Sequence, residues 1–172
     1  MLALTEELFY PSIVVSTTDQ STIMQIEQEI KQTKFKDPFH KAVLNVKFTA
    51  NWLTASSLPI FKKYGISEEQ FNVLRILKGQ YPKPSPLQLI TDRMLNRMSN
   101  ATRLVEKLRL NGYVTREICP ENRRKVNILI TNKGLELLEI VSPEIDHALQ
   151  HHNQLTNAEV ETLNELLDKL RS

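Results

Sequence analysis

The stretch MSNATRLVEKLRLNGYVTREICPENRRKVNILITNKGLELL, residues 98–138, changes its hydrophobic period in mid-course, and that change decides the fold. Up to Gly112 the apolar side chains recur at helical spacing, with Ala101, Leu104, Val105 and Leu108 on one face. After Gly112 the period drops to two. Val114, Arg116 and Ile118 alternate with Thr115 and Glu117, then Val126, Ile128 and Ile130 alternate with Asn127 and Leu129. This predicts a helix from Ser99, its candidate N-cap, through Asn111, then two strands joined by the seven-residue loop CPENRRK, residues 119–125. Thr131 is placed to cap a further helix from Asn132 to near Gln150, with Leu135, Leu138, Ile145 and Leu149 as its buried stripe.

Upstream, Ser67-Glu68-Glu69-Gln70 has the spacing of a capping box, and Phe71, Leu74 and Leu77 continue that helix to Gly79. Ser85-Pro86-Leu87-Gln88 repeats the pattern and predicts a short helix to Met94, with a turn at 95–98 before Ser99. A longer helix begins at Pro38, where proline suits the first turn, and runs to about Tyr64 with Pro59 as a kink and Gly65 as its stop. Its period places Val43, Val46 (or Lys47), Ala50, Leu53 and Ser57 together. Ile23, Ile26 and Ile30 predict a short helix ending near Thr33, and residues 1–20 read as an arm. Thr156 opens the last helix with a third capping box, and Val160, Leu163, Leu167 and Leu170 share a face of it.

Composition narrows the function. The longest apolar runs fall well short of the roughly 20 residues of a membrane helix, and MLALTEELFY carries acids where a secretion signal carries cations. Cys119 is the single cysteine, which excludes an intramolecular disulfide and fits a reducing cytoplasm. With four glycines there is no glycine-rich phosphate loop, and no HExxH or GxSxG motif occurs, so no enzyme and no cofactor is expected. The net charge is only +2, but residues 83–131 hold ten Lys/Arg against four Asp/Glu, while residues 132–172 hold three against eight. A basic block between a neutral and an acidic flank concentrates polyanions locally.

Helix, helix, turn, helix and a hairpin with a basic tip is the order of a winged helix-turn-helix, a mainly α fold with a small β-wing. In that geometry the second helix of the motif enters the major groove N-terminus first. Ser99, Asn100, Thr102 and Arg103 would then meet base edges, Arg97, Lys107 and Arg109 the phosphates, and Arg123, Arg124 and Lys125 the adjacent minor groove. The rival reading is a winged-helix module that binds an acidic protein rather than DNA. His147 and His151 have metal-ligand spacing, yet the same spacing arises on any polar helix face, and no metal is assigned.

Residues 98–138 resemble the MarR (multiple antibiotic resistance regulator) family of bacterial transcription factors. The likeness rests on the Ser99–Leu108 pattern, Asn111-Gly112-Tyr113-Val114, Glu121-Asn122-Arg123-Arg124 and Ile130-Thr131-Asn132-Lys133-Gly134. In element order it extends over residues 36–170. It implies a homodimer joined by helices within 36–66 and 132–172, a DNA-binding unit over 67–131, and residues 1–35 as an additional arm. It further implies recognition of a near-palindromic double-stranded site, repression of transcription, and response to a small-molecule effector or oxidant. His40, Phe48 and Trp52 are the candidate effector contacts, and a redox role for Cys119 is disfavoured because sensing cysteines of the family lie in the first helix. Two departures stand out. Asn122 occupies the place of a wing aspartate that braces arginine, and Leu95-Asn96 replaces a turn glycine, with Asn96 the candidate left-handed residue.

Overall fold

The computed structural model describes residues 24–119 and 122–172, with side chains except at 118, 119 and 122–125. The arm read at residues 1–20 lies outside the described residues. Two compact units divide between Asn45 and Val46.

In the first unit α1 covers only Ile26–Glu29, closed by a capping box between Gln25 and Gln28. It is shorter than the helix expected from the isoleucine spacing, because Lys31 turns left-handed at φ 52°. The helix α2, Pro38–Lys63, begins in this unit and continues into the second. Its first turn is capped by Asp37, whose Oδ1 accepts the His40 N–H at 2.7 Å.

The second unit holds α3 (Glu68–Lys78), β1 (Ser85–Pro86), α4 (Leu87–Arg93), α5 (Ala101–Leu110), β2 (Val114–Cys119), β3 (Asn122–Ile130), α6 (Asn132–His151) and α7 (Asn157–Leu170). The strands form an antiparallel sheet in the order β1-β3-β2. One core runs through the unit: Phe61, Leu74, Leu77, Ile90, Leu108, Ile128 and Leu138 are all buried in it. Burying such a side chain contributes about 1.5–3 kcal/mol. Gly65 and Gly112 take φ values of 66° and 76°, which end α2 and α5 with the chain turning back toward that core.

Several local expectations are corrected. Ser85 does not cap a helix. It pairs with Ile128 and Pro86 with Asn127, so the pair forms the sheet's short third strand, and Pro86 stands at the N-cap of α4 without a side-chain bond. Ser85 lacks the position to cap because its backbone is already committed to β3. The N-cap of α5 is Asn100 rather than Ser99: its Oδ1 accepts the Arg103 N–H at 3.0 Å. Asn96 does not adopt the left-handed conformation; it stabilises the turn by accepting the Met98 N–H on Oδ1 at 3.1 Å. The hairpin's strands reach to Cys119 and Asn122, leaving only positions 120–121 between them instead of a seven-residue loop. In α6 the buried set is Gly134, Leu137, Leu138, Val141 and Ile145; Leu135 is half-buried and Leu149 exposed.

Candidate nucleic-acid interface

The candidate interface is built on α5. Its inner side, Ala101, Val105 and Leu108, is buried against the core, and that burial leaves Thr102, Arg103 and Lys107 on the outer side, all exposed. The helix packs on α3 and α4, so its direction is set by apolar contacts rather than by the polar residues it presents. Side-chain amides fix its approach. Asn72 Oδ1 accepts the Leu95 N–H at 3.1 Å, and the Asn96 carbonyl accepts the Ser99 N–H at 3.2 Å. With the Asn100 cap, these bonds shape the 95–100 turn that leads into α5.

The other end is tied down too. Thr131 Oγ1 donates to the Gly112 carbonyl at 2.8 Å, and Lys133 Nζ donates to the Asn111 carbonyl at 2.8 Å while lying over the Tyr113 ring. Cations near the last turn favour the helix dipole. A helix held at both ends can present side chains at reproducible distances.

The residues singled out in the sequence fall as follows. Arg97, Asn100, Thr102, Arg103 and Lys107 are exposed and come from one turn and the outer side of α5, and Ser99 beside them is half-buried. Arg109 is engaged by Glu106 in a bidentate pair, Nε to Oε2 at 3.0 Å and Nη2 to Oε1 at 2.8 Å. That guanidinium holds the Glu106 carboxyl below its usual range, chiefly through the hydrogen bonds, with Arg116 adding a smaller electrostatic pull. The local charge of Arg109 is thereby partly neutralised. Arg123, Arg124 and Lys125 fall on β3 where the register steps between Ile118↔Val126 and Cys119↔Asn122. Their side chains, and that of Cys119, lie outside the described residues.

The proposed effector contacts divide between the units. His40 lies in the first, its Nδ1 accepting the Lys36 N–H at 3.4 Å. Phe48 and Trp52 lie in the second, where Phe48 is half-buried and the exposed Trp52 indole meets the His152 ring edge-on at 4.6 Å. A cavity of about 460 Å³ is walled instead by Ala50, Thr54, Glu68, Glu69, Asn72, Met94, Leu95 and Asn96. Among the described residues no group of three His, Cys, Asp or Glu is gathered in a metal-binding arrangement, and His147 and His151 stand without a third ligand.

Two features escaped the sequence. Arg116 shares the inward phase of Val114, yet it is exposed and lines a small crevice with Thr102, Val105 and Glu106 at the wing's base. The signal was the charge itself at an apolar phase position. Leu95 and Met98, apolar residues at 83% and 94% exposure, flank Arg97 in the turn; nothing in the apolar spacing marks them as outward-facing. Among the described residues no helix is long and apolar enough to cross a membrane.

Comparison with known proteins places this architecture. The sequence profile of the MarR family matches residues 66–126, which span α3 through the wing. The chain is 36% identical over 89 residues to the HTH-type transcriptional regulator YkoM of Bacillus subtilis, a match covering 52% of this chain and 55% of that protein. The chain thus spans about half the length of that relative. It is 34% identical over 113 residues to the HTH-type transcriptional regulator MhqR of Bacillus subtilis, covering 63% of this chain and 74% of the relative. Among solved structures, a MarR transcription factor from Planctomyces limnophilus superposes with a TM-score of 0.61 at 29% identity, covering 80% of this chain and 98% of that one. Sco3205 of Streptomyces coelicolor, solved in complex with DNA, has the same fold at 21% identity, with a TM-score of 0.68 over 81% of this chain and 89% of its own. From the match to MhqR and the agreement in fold, the chain belongs to the MarR family of HTH-type transcriptional regulators.

Proposed function

We propose that the chain acts as a homodimeric repressor that binds a pseudo-palindromic DNA duplex through α5 and the wing. The observation that carries this reading is the outer row of α5, where Thr102 and Arg103 stand exposed directly after a capped, hydrogen-bonded turn. An arginine there reaches the O6 and N7 of guanine or a phosphate, and Ser99, Asn100 and Thr102 supply short donors and acceptors. Arg97 and Lys107 take phosphates, and Arg123, Arg124 and Lys125 reach the minor groove beside the recognition helix. The helices within 36–66 and 132–172 join the two copies, and residues 67–131 bind DNA. Two-fold symmetry then sets half-sites about 10 bp apart. A dimer seated on a promoter excludes polymerase by volume alone, so repression requires no further contact. A regulator of this kind acts in the cytoplasm, beside the chromosome.

An effector is proposed to act through Phe48 and Trp52, both on α2 within the second unit. Trp52 is the single tryptophan, so its fluorescence reports any ligand that reaches it.

The test is selection of duplex fragments from genomic DNA on the purified chain, followed by anisotropy titration of the enriched site. Arg103→Ala is expected to weaken binding by roughly 5- to 150-fold, from the 1–3 kcal/mol of a bidentate base contact. The affinity should fall steeply with salt, as displaced counterions require. Absence of any enriched duplex, together with capture of an acidic protein partner, would overturn the DNA reading in favour of a protein-binding winged helix.

A further inference from the structure

Leu95 and Met98 are the two most exposed large apolar side chains among the described residues, at 83% and 94%. A single exposed leucine or methionine is ordinary. Here two stand three positions apart in one turn, immediately before the recognition helix. The backbone N–H of each of the two residues is held by an asparagine side chain, Leu95 by Asn72 and Met98 by Asn96, both at 3.1 Å. The hydrogen-bonded backbone of the turn thus presents both side chains to solvent.

Their surroundings indicate the occupant. Arg97 lies between them, and Asn100, Thr102 and Arg103 follow, all exposed. Residues 83–131 as a whole carry ten Lys/Arg against four Asp/Glu. An apolar protein partner would have to desolvate those cations, which is costly without matching acids. A DNA major groove matches both properties at once. Its phosphates pair with the cations, and its one apolar feature is the C5-methyl group of thymine.

We propose that Met98, flanked by Leu95, is a specificity-determining contact that reads thymine methyl groups in the operator. This inference rests on the DNA-binding reading above. Met98 lies two residues before the Asn100 cap, so it enters the groove with the first residues of α5. Its unbranched thioether adapts to a methyl edge without demanding one fixed geometry. The operator then carries thymine at the base pair facing Met98 in each half-site, beside the pair read by Arg103.

The experiment replaces thymine by deoxyuridine, which removes the methyl and leaves every hydrogen-bonding group. A duplex is selected from a random-sequence pool on the full chain. It is then prepared with thymine or with deoxyuridine at each thymine of the half-sites and titrated with wild type, Met98→Ala and Arg103→Ala. Wild type should lose roughly fourfold in affinity for each contacted methyl removed, the worth of one buried methyl-sized group. Met98→Ala should bind the thymine duplex more weakly and lose the discrimination, while Arg103→Ala, although weaker on both duplexes, should retain it. Because Met98 is almost wholly exposed, its truncation leaves the core untouched, which circular dichroism verifies. Equal wild-type affinity for thymine and uracil duplexes overturns the proposal while leaving DNA binding intact, and so does full discrimination by Met98→Ala. A selection that recovers no duplex defeats the DNA-binding reading and this inference with it.

Discussion

Gly134 shows how narrowly one residue constrains the base of the wing. It is buried in the first turn of α6, and a Cβ there would meet the Tyr113 carbonyl oxygen well inside van der Waals contact and lie 2.8 Å from Ile130 Cγ1. The Tyr113 carbonyl already accepts the Thr131 N–H at 3.0 Å, so it cannot withdraw without loosening the junction between β3 and α6. Gly134→Ala is therefore expected to cost about 1–3 kcal/mol, in the range of overpacked sites. Chemical denaturation checks this, with an unchanged midpoint as the contrary outcome. Nothing in the sequence marked this glycine as different from a helix-interior glycine, because the close approach comes from residues on two other segments. Asn100 was legible in a coarser way. A short polar residue at the head of α5 was expected to cap it, and the choice of Asn100 over Ser99 depended on backbone conformation.

At the scale of elements, α2 and α6 are joined by a small polar cluster. Lys63 Nζ donates to both Glu144 oxygens, at 2.8 and 3.1 Å, and Tyr64 OH donates to Glu144 Oε1. Lys63, then Tyr64, hold the Glu144 carboxyl below its usual value of 4.5. A carboxylate with a depressed folded value stabilises the fold above its unfolded value and loses that contribution as pH falls through the folded one. Wild type should accordingly be more stable than Glu144→Gln near neutrality, and the gap should close as pH drops below 4.5. Thermal melts of the two proteins across that window measure it; parallel curves would show the cluster to be energetically idle. The helices themselves were legible from capping boxes at Ser67 and Thr156, both of which form. The box at Ser85 failed because a strand pairing, invisible locally, claimed the same residues.

At the scale of the molecule, α7 is the informative element, since none of its 14 residues is buried. Leu163, Leu166 and Leu170 are exposed on it, and Trp52, Leu53 and Leu149 are exposed on α2 and α6. An isolated helix of this length is marginal in water, so an uncovered apolar face calls for a partner, and a second copy of this chain is the proposed one. Light scattering should give twice the 19.9 kDa of one chain. Leu163→Lys combined with Leu166→Lys should give the single-chain mass and lose duplex affinity with it. A doubly substituted protein that stays at twice the chain mass would remove α7 from the interface.

The sequence by itself determined the element order, the switch from helical to strand period at Gly112, and the polar row of α5, because periodicity, caps and turn residues act within a few positions. Tertiary structure decided the third strand at Ser85–Pro86, the close approach that reserves position 134 for glycine, and the exposure of Leu95 and Met98. Those properties depend on what lies across the fold. Hydrophobicity says that a side chain favours burial, and only the assembled core decides whether a place exists for it.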